Sequence, residues 1–441
     1  MAEPRPVLGA MPAYTRDYSF LSDAARRTDA LDSLKYMPLN SDGNSYLSLS
    51  GEGRLRYDDF FSNPGFGISG LRADDYGFTR ALLGADLHVG THFRAFAQLA
   101  STTVNGKKGP VSQTDESGLD WQQAFIEVSN SEQTVVARLG RQEVTLGSQR
   151  LVALRDGPNL RQSFDGARLI VRHGLFELTA FAFHPVQLKG DDFDDTSDKT
   201  QDFYGLYATL PLGRIKGTFL DAYVLRLERR NAVFAQGMAN ERRDSTGLRL
   251  WGTRGPVDYN FETLYQSGLF GAQTIQAWTF ASDTGYTVRS LPWSPRFGLK
   301  ADIASGDKNP NDNELNTFNA LFPKGGYFTE NGLIGPANIA DLQPSLTLNI
   351  APRVNVIVSA VVLWRDKITD AIYRQPNLPI IGTAGLSNRY TGTQYYVSPT
   401  WQMNSHLLLS ATYVHFAVGK PIKAVGGGDS DYFSTWLTFR F

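Results

Sequence analysis

The chain contains no cysteine, which suits a protein that crosses an oxidising compartment. It has no basic excess: 43 lysines and arginines face 44 acids, for a net charge of −1. Such a chain has no surplus of cations with which to release counterions from nucleic acid, so nucleic acid is not an expected partner. Long hydrophobic runs are missing too. The longest, Val354 to Trp364, is broken by Asn355 and Ser359 and falls well short of the roughly 18 to 20 apolar residues of a membrane-crossing helix. Any membrane span must therefore be made of strands. The opening residues, MAEPRPVLGAMPAY, hold no apolar signal region, and an export signal is expected to have been removed from this form. Catalytic signatures are likewise absent. The six histidines (His88, His92, His173, His184, His406, His415) are scattered, and no HExxH, Gly-x-Ser-x-Gly or phosphate loop occurs, so neither catalysis nor a cofactor is expected.

What the chain does have is concentrated between Thr134 and Arg172. These 39 residues hold seven arginines (Arg138, Arg141, Arg150, Arg155, Arg161, Arg168, Arg172), no lysine, and the acids Glu143, Asp156 and Asp165. At either end apolar residues alternate with others: Val135, Ala137 and Leu139 on one face, then Ala167, Leu169 and Val171 opposite Arg168 and Arg172. Alternation of period two places one face against something oily while the other carries arginine.

The same pattern recurs in eighteen strand candidates, from 45–57 to 431–441. That is too many for two stacked sheets, and an even number returns both ends of a barrel to one side. Connection lengths point the same way. Links after even-numbered strands are mostly tight (Gly90, 130–133, 173–174, 211–214, 252–255, 351–352), while those after odd-numbered strands are mostly long (58–75, 102–119, 142–163, 185–200, 228–243, 305–341, 366–388, 415–430). The exceptions are the short link 267–270 and the longer turns 282–293 and 398–405. The fold class expected is all-β: a transmembrane antiparallel β-barrel of about 18 strands over residues 45–441. Residues 1–44 form an amino-terminal arm with a short helix from Ser22 and Asp23 through Leu34, ended before Pro38. In the final strand Phe433, Leu437, Phe439 and Phe441 share one face, resembling an assembly signal read by the barrel-assembly machinery. Tyr46, Tyr57, Trp121, Trp251, Trp364 and Tyr432 suit interfacial girdles, with some lining the lumen instead.

With apolar faces outward, the inward cations are Arg54, Arg56, Arg80, Arg94, Arg138, Arg168, Arg172, Arg249, Arg296, Lys300, Arg365 and Arg440. The inward acids are fewer: Glu52, Asp86, Glu127, Glu177, Asp258, Glu262 and Asp302. A barrel this wide leaves an aqueous channel unless something folds into it. The 142–163 loop, with Arg150, Arg155 and Arg161, is the expected constriction. Guanidinium stays charged and pairs carboxylates bidentately, so such a lumen favours carboxylated anions. The competing reading is that the arginines pair with inward acids and stiffen the wall, with Glu143, Asp156 and Asp165 as natural partners. The oxygen-rich runs Asp307–Glu314 and Asp191–Asp195 read as solvated loops, with calcium or lipopolysaccharide bridging as the alternative at the second.

The segment LGRQEVTLGSQRLVALRDGPNLRQSFDGARL (139–169) resembles the signature of the alginate-export family of outer-membrane barrels. LDSLKYMPL with SYLSLSGEGRLRY (31–39 and 45–57) and ASGDKNPNDNELNTFNALFPKGGYF (304–328) are similar to other blocks of that family. The resemblance implies an 18-stranded barrel in the bacterial outer membrane, in contact with lipid and lipopolysaccharide. It further implies a channel for an anionic polysaccharide or a smaller anionic solute, with Arg141, Arg150, Arg155, Arg161 and Arg168 as the carried-over residues. The alternatives are a plugged or structural barrel serving an envelope complex and, further off, a barrel lipase or protease.

Overall fold

The computed structural model describes residues 6–213 and 215–441; residues 1–5 of the arm and Arg214 of the 211–214 turn lie outside them. Eighteen strands run through the chain. They are β1 Tyr46–Ser62, β2 Asp74–Val89, β3 Phe93–Asn105, β4 Ser117–Ser129, β5 Val135–Gln142 and β6 Phe164–His173. Then follow β7 Phe176–Gln187, β8 Gln201–Pro211, β9 Thr218–Phe234, β10 Gly237–Arg254, β11 Val257–Phe270 and β12 Gln273–Thr287. The last six are β13 Arg296–Ala304, β14 Ile339–Ala351, β15 Val354–Trp364, β16 Tyr390–Gln402, β17 Leu407–Val418 and β18 Ser430–Arg440. Each pairs antiparallel with its neighbours, and β18 returns to β1 through Glu52↔Arg440 to Ser62↔Asp431. Closure leaves no strand edge unpaired, the condition for a sheet surrounded by lipid.

Side-chain alternation follows the closure. Leu55, Leu83, Leu139, Leu169, Leu206, Leu248 and Phe297 point outward and are exposed, whereas Glu52, Arg54, Arg80, Glu127, Arg138 and Glu262 point inward and are buried. Of the aromatic residues expected at girdles, Tyr57 and Trp121 face outward, while Tyr46 and Tyr432 are buried and Trp251 turns its indole nitrogen to Asp221 at 3.0 Å.

Two features depart from the sequence reading. The 228–243 segment is not a loop. β9 and β10 continue as a ladder to Phe234↔Gly237, because Leu225, Leu227, Ala232 and Phe234 keep an apolar inward face that the charged outward residues hide in a linear scan. The arm's helix is also broken. Asp23 caps a turn, accepting from the Ala25 amide at 2.9 Å, but the arm coils only in separate short turns among its described residues, Ala13–Thr15, Ser19–Ser22, Ala24–Arg26 and Asp32–Lys35.

The interior is not an open tube. Loop 305–338 carries Phe318, Leu321, Phe322, Phe328, Leu333 and Ile334 into the barrel, where they pack with Val144, Leu151 and Val152 of loop 143–163 and with wall residues such as Phe164 and Phe203. The Phe322 ring meets those of Phe164 and Phe203 edge-on at 5.1 Å. Ile372, Tyr373 and Ile380 of loop 365–389 join the same core. Burying these apolar side chains at roughly 1.5–3 kcal/mol each holds the loops inside the wall.

Candidate permeation pathway

Loop 143–163 leaves the wall just beyond two glycines that face one another across β5 and β6. Gly140 (φ 130°) pairs with Gly166 (φ 152°). A Cβ at either would lie 2.2 or 2.1 Å from the carbonyl oxygens of Ala124 and Ala182. Only glycine permits this close backbone approach at positive φ. From there the loop crosses the lumen. Arg150 reaches the far wall, 3.4 Å from Glu262 and 3.7 Å from Asp302. Asp156 reaches the near one, next to a left-handed turn at Arg155 (φ 55°). Bridges between Ala153 N–H and Phe322 O (2.9 Å) and between Phe322 N–H and Leu151 O (2.8 Å) tie it to loop 305–338.

At the near wall four guanidiniums converge on one loop carboxylate. Asp156 lies 2.7 Å from Arg54, 2.6 Å from Arg80, 2.8 Å from Arg161 and 3.9 Å from Arg440. The wall acid Glu52 shares all four, 3.8 Å from Arg54, 2.5 Å from Arg80, 3.0 Å from Arg161 and 2.7 Å from Arg440. Burial alone would raise the Asp156 carboxyl, but the surrounding guanidiniums hold it well below the usual carboxylate range. Beneath them Glu143 behaves oppositely: burial pushes it up to about 7 against the pull of Arg161, which is 3.8 Å away.

Cavities lie on either side of this knot. Toward the long loops, one of about 330 Å³ is lined by Arg56, Asp58, Gly157, Glu330 and Tyr432. Toward the short turns, one of about 640 Å³ is lined by Arg16, Arg94, Glu127, Arg138 and Arg172. Arg94 pairs with Asp86 at 2.6 Å and Arg138 with Glu127 at 2.6 Å. Arg168 donates to the Thr179 hydroxyl at 3.3 Å. Arg172 stands at the mouth beside Glu177, 2.9 Å away.

The expected pathway residues therefore separate. Arg54, Arg56, Arg80, Arg94, Arg138 and Arg168 face inward, Arg172 stands at the short-turn mouth, and Arg150 and Arg161 sit on the crossing loop. Arg155 donates to Pro323 O at 3.0 Å, and burial lowers its guanidinium to about 10. Arg141 stands apart. It shares the outward face of Leu139 and bonds Asp165 at 2.8 Å and Trp121 O at 3.0 Å, which places it at the outer rim rather than in the lumen. Period-two parity from Arg138 gives that face directly. Arg365, counted among inward cations, instead donates five bonds to carbonyls of loop 365–389, from Ile368 to Asn388. Near the rim the carboxylates of Asp194 and Asp195 come within 4.8 Å of Asp120 and of each other. The Asp307–Glu314 segment is closed by a Lys308–Glu314 pair at 2.8 Å.

The arm supplies residues that the sequence left without a role. Tyr14 enters the lumen, donating to Glu143 O at 2.8 Å and accepting from Arg94 at 2.5 Å. No motif marks it; the signal lies in contacts more than 75 residues away in the chain.

Comparisons with known proteins fit this architecture. A BenF-like porin from Pseudomonas fluorescens Pf-5 superposes with a TM-score of 0.62 at 12% identity, covering 90% of this chain and 99% of that one. OccK2 (OpdF) of Pseudomonas aeruginosa, solved in complex with glucuronate, gives 0.61 at 12% identity, with 90% and 98% covered. OccAB1 of Acinetobacter baumannii gives 0.61 at 11%, with 93% and 99% covered. No curated protein matches in sequence. Residues 45–435 match the model of the alginate export family, a span running from the residue before β1 into β18, and the chain belongs to that family.

Proposed function

We propose that the protein is a passive diffusion channel of the bacterial outer membrane that prefers carboxylated anions, acidic sugars or an anionic polysaccharide among them. The observation that carries the reading is the convergence of Arg54, Arg80, Arg161 and Arg440 on the Asp156 carboxylate where loop 143–163 crosses the lumen. A cluster that holds one carboxylate by charge-assisted bonds is chemically fitted to receive another. Because Asp156 and Glu52 already pair these arginines, a passing anion exchanges with a fixed counterion and is not trapped, which is the balance flux requires. Membership of the alginate export family and likeness to a porin solved with glucuronate support the same substrate class. The outward apolar band would contact lipid and lipopolysaccharide, and the outward Leu437 and Phe439 of β18 would serve as an assembly signal. No step in this mechanism is catalytic.

The test is the reversal potential of the purified protein in a planar bilayer across a salt gradient, then with a uronate oligomer on one side. Anion preference with blockade by the oligomer is expected. Unchanged selectivity after replacing Arg150, Arg155 and Arg161 by Ala would sink the reading. A plugged barrel serving an envelope complex is the second reading, favoured by the loops and arm that occupy the lumen; negligible conductance in every variant would favour it.

A further inference from the structure

The segment between Ala13 and Tyr36 occupies the short-turn half of the lumen by taking up the wall's own anion-binding groups. The Tyr14 carbonyl accepts from Arg94 Nη2 at 2.5 Å. The Tyr14 ring lies under the Arg138 guanidinium, 4.0 Å from its carbon, with Phe125 on that guanidinium at 4.2 Å. The exchange is incomplete: Arg138, which pairs with Glu127 through Nε and Nη2, keeps a buried Nη1 with no hydrogen-bond partner among the described residues, as does Nε of the segment's own Arg16.

Its attachment is separable. Met37–Pro38 pairs with Leu47 and Tyr46 of β1, and among the described residues no strand pairing joins the chain upstream of Met37 to the wall. What holds that part is a set of local contacts. Asp29 meets His406 Nε2 at 2.7 Å, Lys35 Nζ donates to Leu49 O at 2.6 Å, and Tyr36 stacks on Tyr46 at 4.7 Å. Its apolar residues form two small clusters, Tyr14 with Phe96 and Phe125, and Tyr18, Phe20, Leu21, Tyr36 and Tyr46, both separate from the main core. A unit whose apolar contacts lie outside the main core and which is tethered to the ladder at one end opens without disturbing the pairing that closes the barrel.

We propose that residues 13–36 are a gate, which closes the short-turn mouth and competes with anionic solutes for Arg94 and Arg138. The proposal rests on the channel reading and adds to it an internal competitor. An anion entering from the long-loop side displaces the Tyr14 carbonyl from Arg94, and the segment swings about Met37–Pro38.

Single-channel recordings of the full chain test it, comparing wild type with Tyr14→Ala and with Asp29→Asn, each checked for a folded barrel by its heat-dependent migration on gels. The Asp29→Asn change lies at the mouth, away from the lumen wall, and carries the test if Tyr14→Ala fails to fold. Expected is an open fraction raised about two- to fivefold in Asp29→Asn, the shift that weakening one hydrogen bond to a carboxylate at the surface, here Asp29 to His406, produces, and a larger rise in Tyr14→Ala. Open fraction and unit conductance equal to wild type in the folded variants would overturn the gate. Reversal potentials keep the two readings apart. Raised opening without anion preference supports the gate and sinks the anion channel, whereas anion preference with unchanged opening sinks the gate alone.

Discussion

Asp156 on the crossing loop and Arg80 on the wall meet at 2.6 Å, and Asp156 is the more exposed partner, with 24% of its side chain accessible against 1% for Arg80. The acid therefore sits on the solute side of the arginines. Asp156→Asn keeps the shape and removes the charge. A unit charge at about 6 Å in water is worth about 0.7 kcal/mol, or roughly a threefold change in equilibrium. The anion-to-cation permeability ratio is expected to rise by about that factor, read as a shift in reversal potential. An unchanged ratio with a lowered melting temperature would make Asp156 a strut alone.

Glu143 is expected to make ion selectivity depend on pH. Burial raises its carboxyl from 4.5 to about 7, so it is neutral in acid and becomes a buried negative charge beside Arg161 as pH rises through 7. Anion preference is therefore expected to weaken between about pH 6 and 8. Stability follows the same group: the folded state holds a proton that the unfolded chain has released, so this contribution is full below about 4.5 and is lost as pH rises from there to about 7. Glu143→Gln should flatten the selectivity profile. A profile in the variant as steep as in wild type would assign the effect to another group.

The barrel was legible because its signal is periodic. Each of the eighteen strand candidates became a strand, and the inward placement of Glu52, Arg54, Arg80 and Arg138 follows from parity alone. Where periodicity ends, the reading fails for identifiable reasons. The β9–β10 ladder beyond Leu227 does not show in the sequence because its outward face carries Glu228, Arg230 and Arg242, which read as a solvated loop. Arg365 sits one residue past β15, where strand parity no longer determines direction. The pairing of Asp156 with Arg54 spans 102 residues, and no local pattern encodes it. Glycines 140 and 166 were visible in the sequence, but the close approach they allow needed the paired strands.

Arg365 organises loop 365–389 through one planar group. Its Nη1 donates to Thr383 O at 2.6 Å, and its Nη2 to Leu386 O at 2.6 Å and Asn388 O at 2.5 Å. Lysine carries the charge but not the fork. Arg365→Lys is thus expected to make the loop susceptible to limited proteolysis while leaving ion selectivity close to wild type. Selectivity shifted as strongly as by Asp156→Asn would place Arg365 among the groups that meet the solute.

Phe322 clamps the two inward loops. Its ring packs edge-on against Phe164 and Phe203, and its amide and carbonyl bridge to Leu151 and Ala153. Phe322→Ala leaves the backbone bridges but removes the ring from a site 6% exposed. Large-to-small changes of this kind cost about 3–5 kcal/mol when the surroundings cannot collapse. Here the cost falls on loop docking rather than on the barrel, because the eighteen-strand ladder does not pass through Phe322. The expected outcome is therefore a split: greater conductance and noisier open-state current as loop 305–338 loosens, with barrel strand content by circular dichroism unchanged. Loss of strand content would mean that the inward loops hold the wall together, and that packing inside the lumen is a condition of closure.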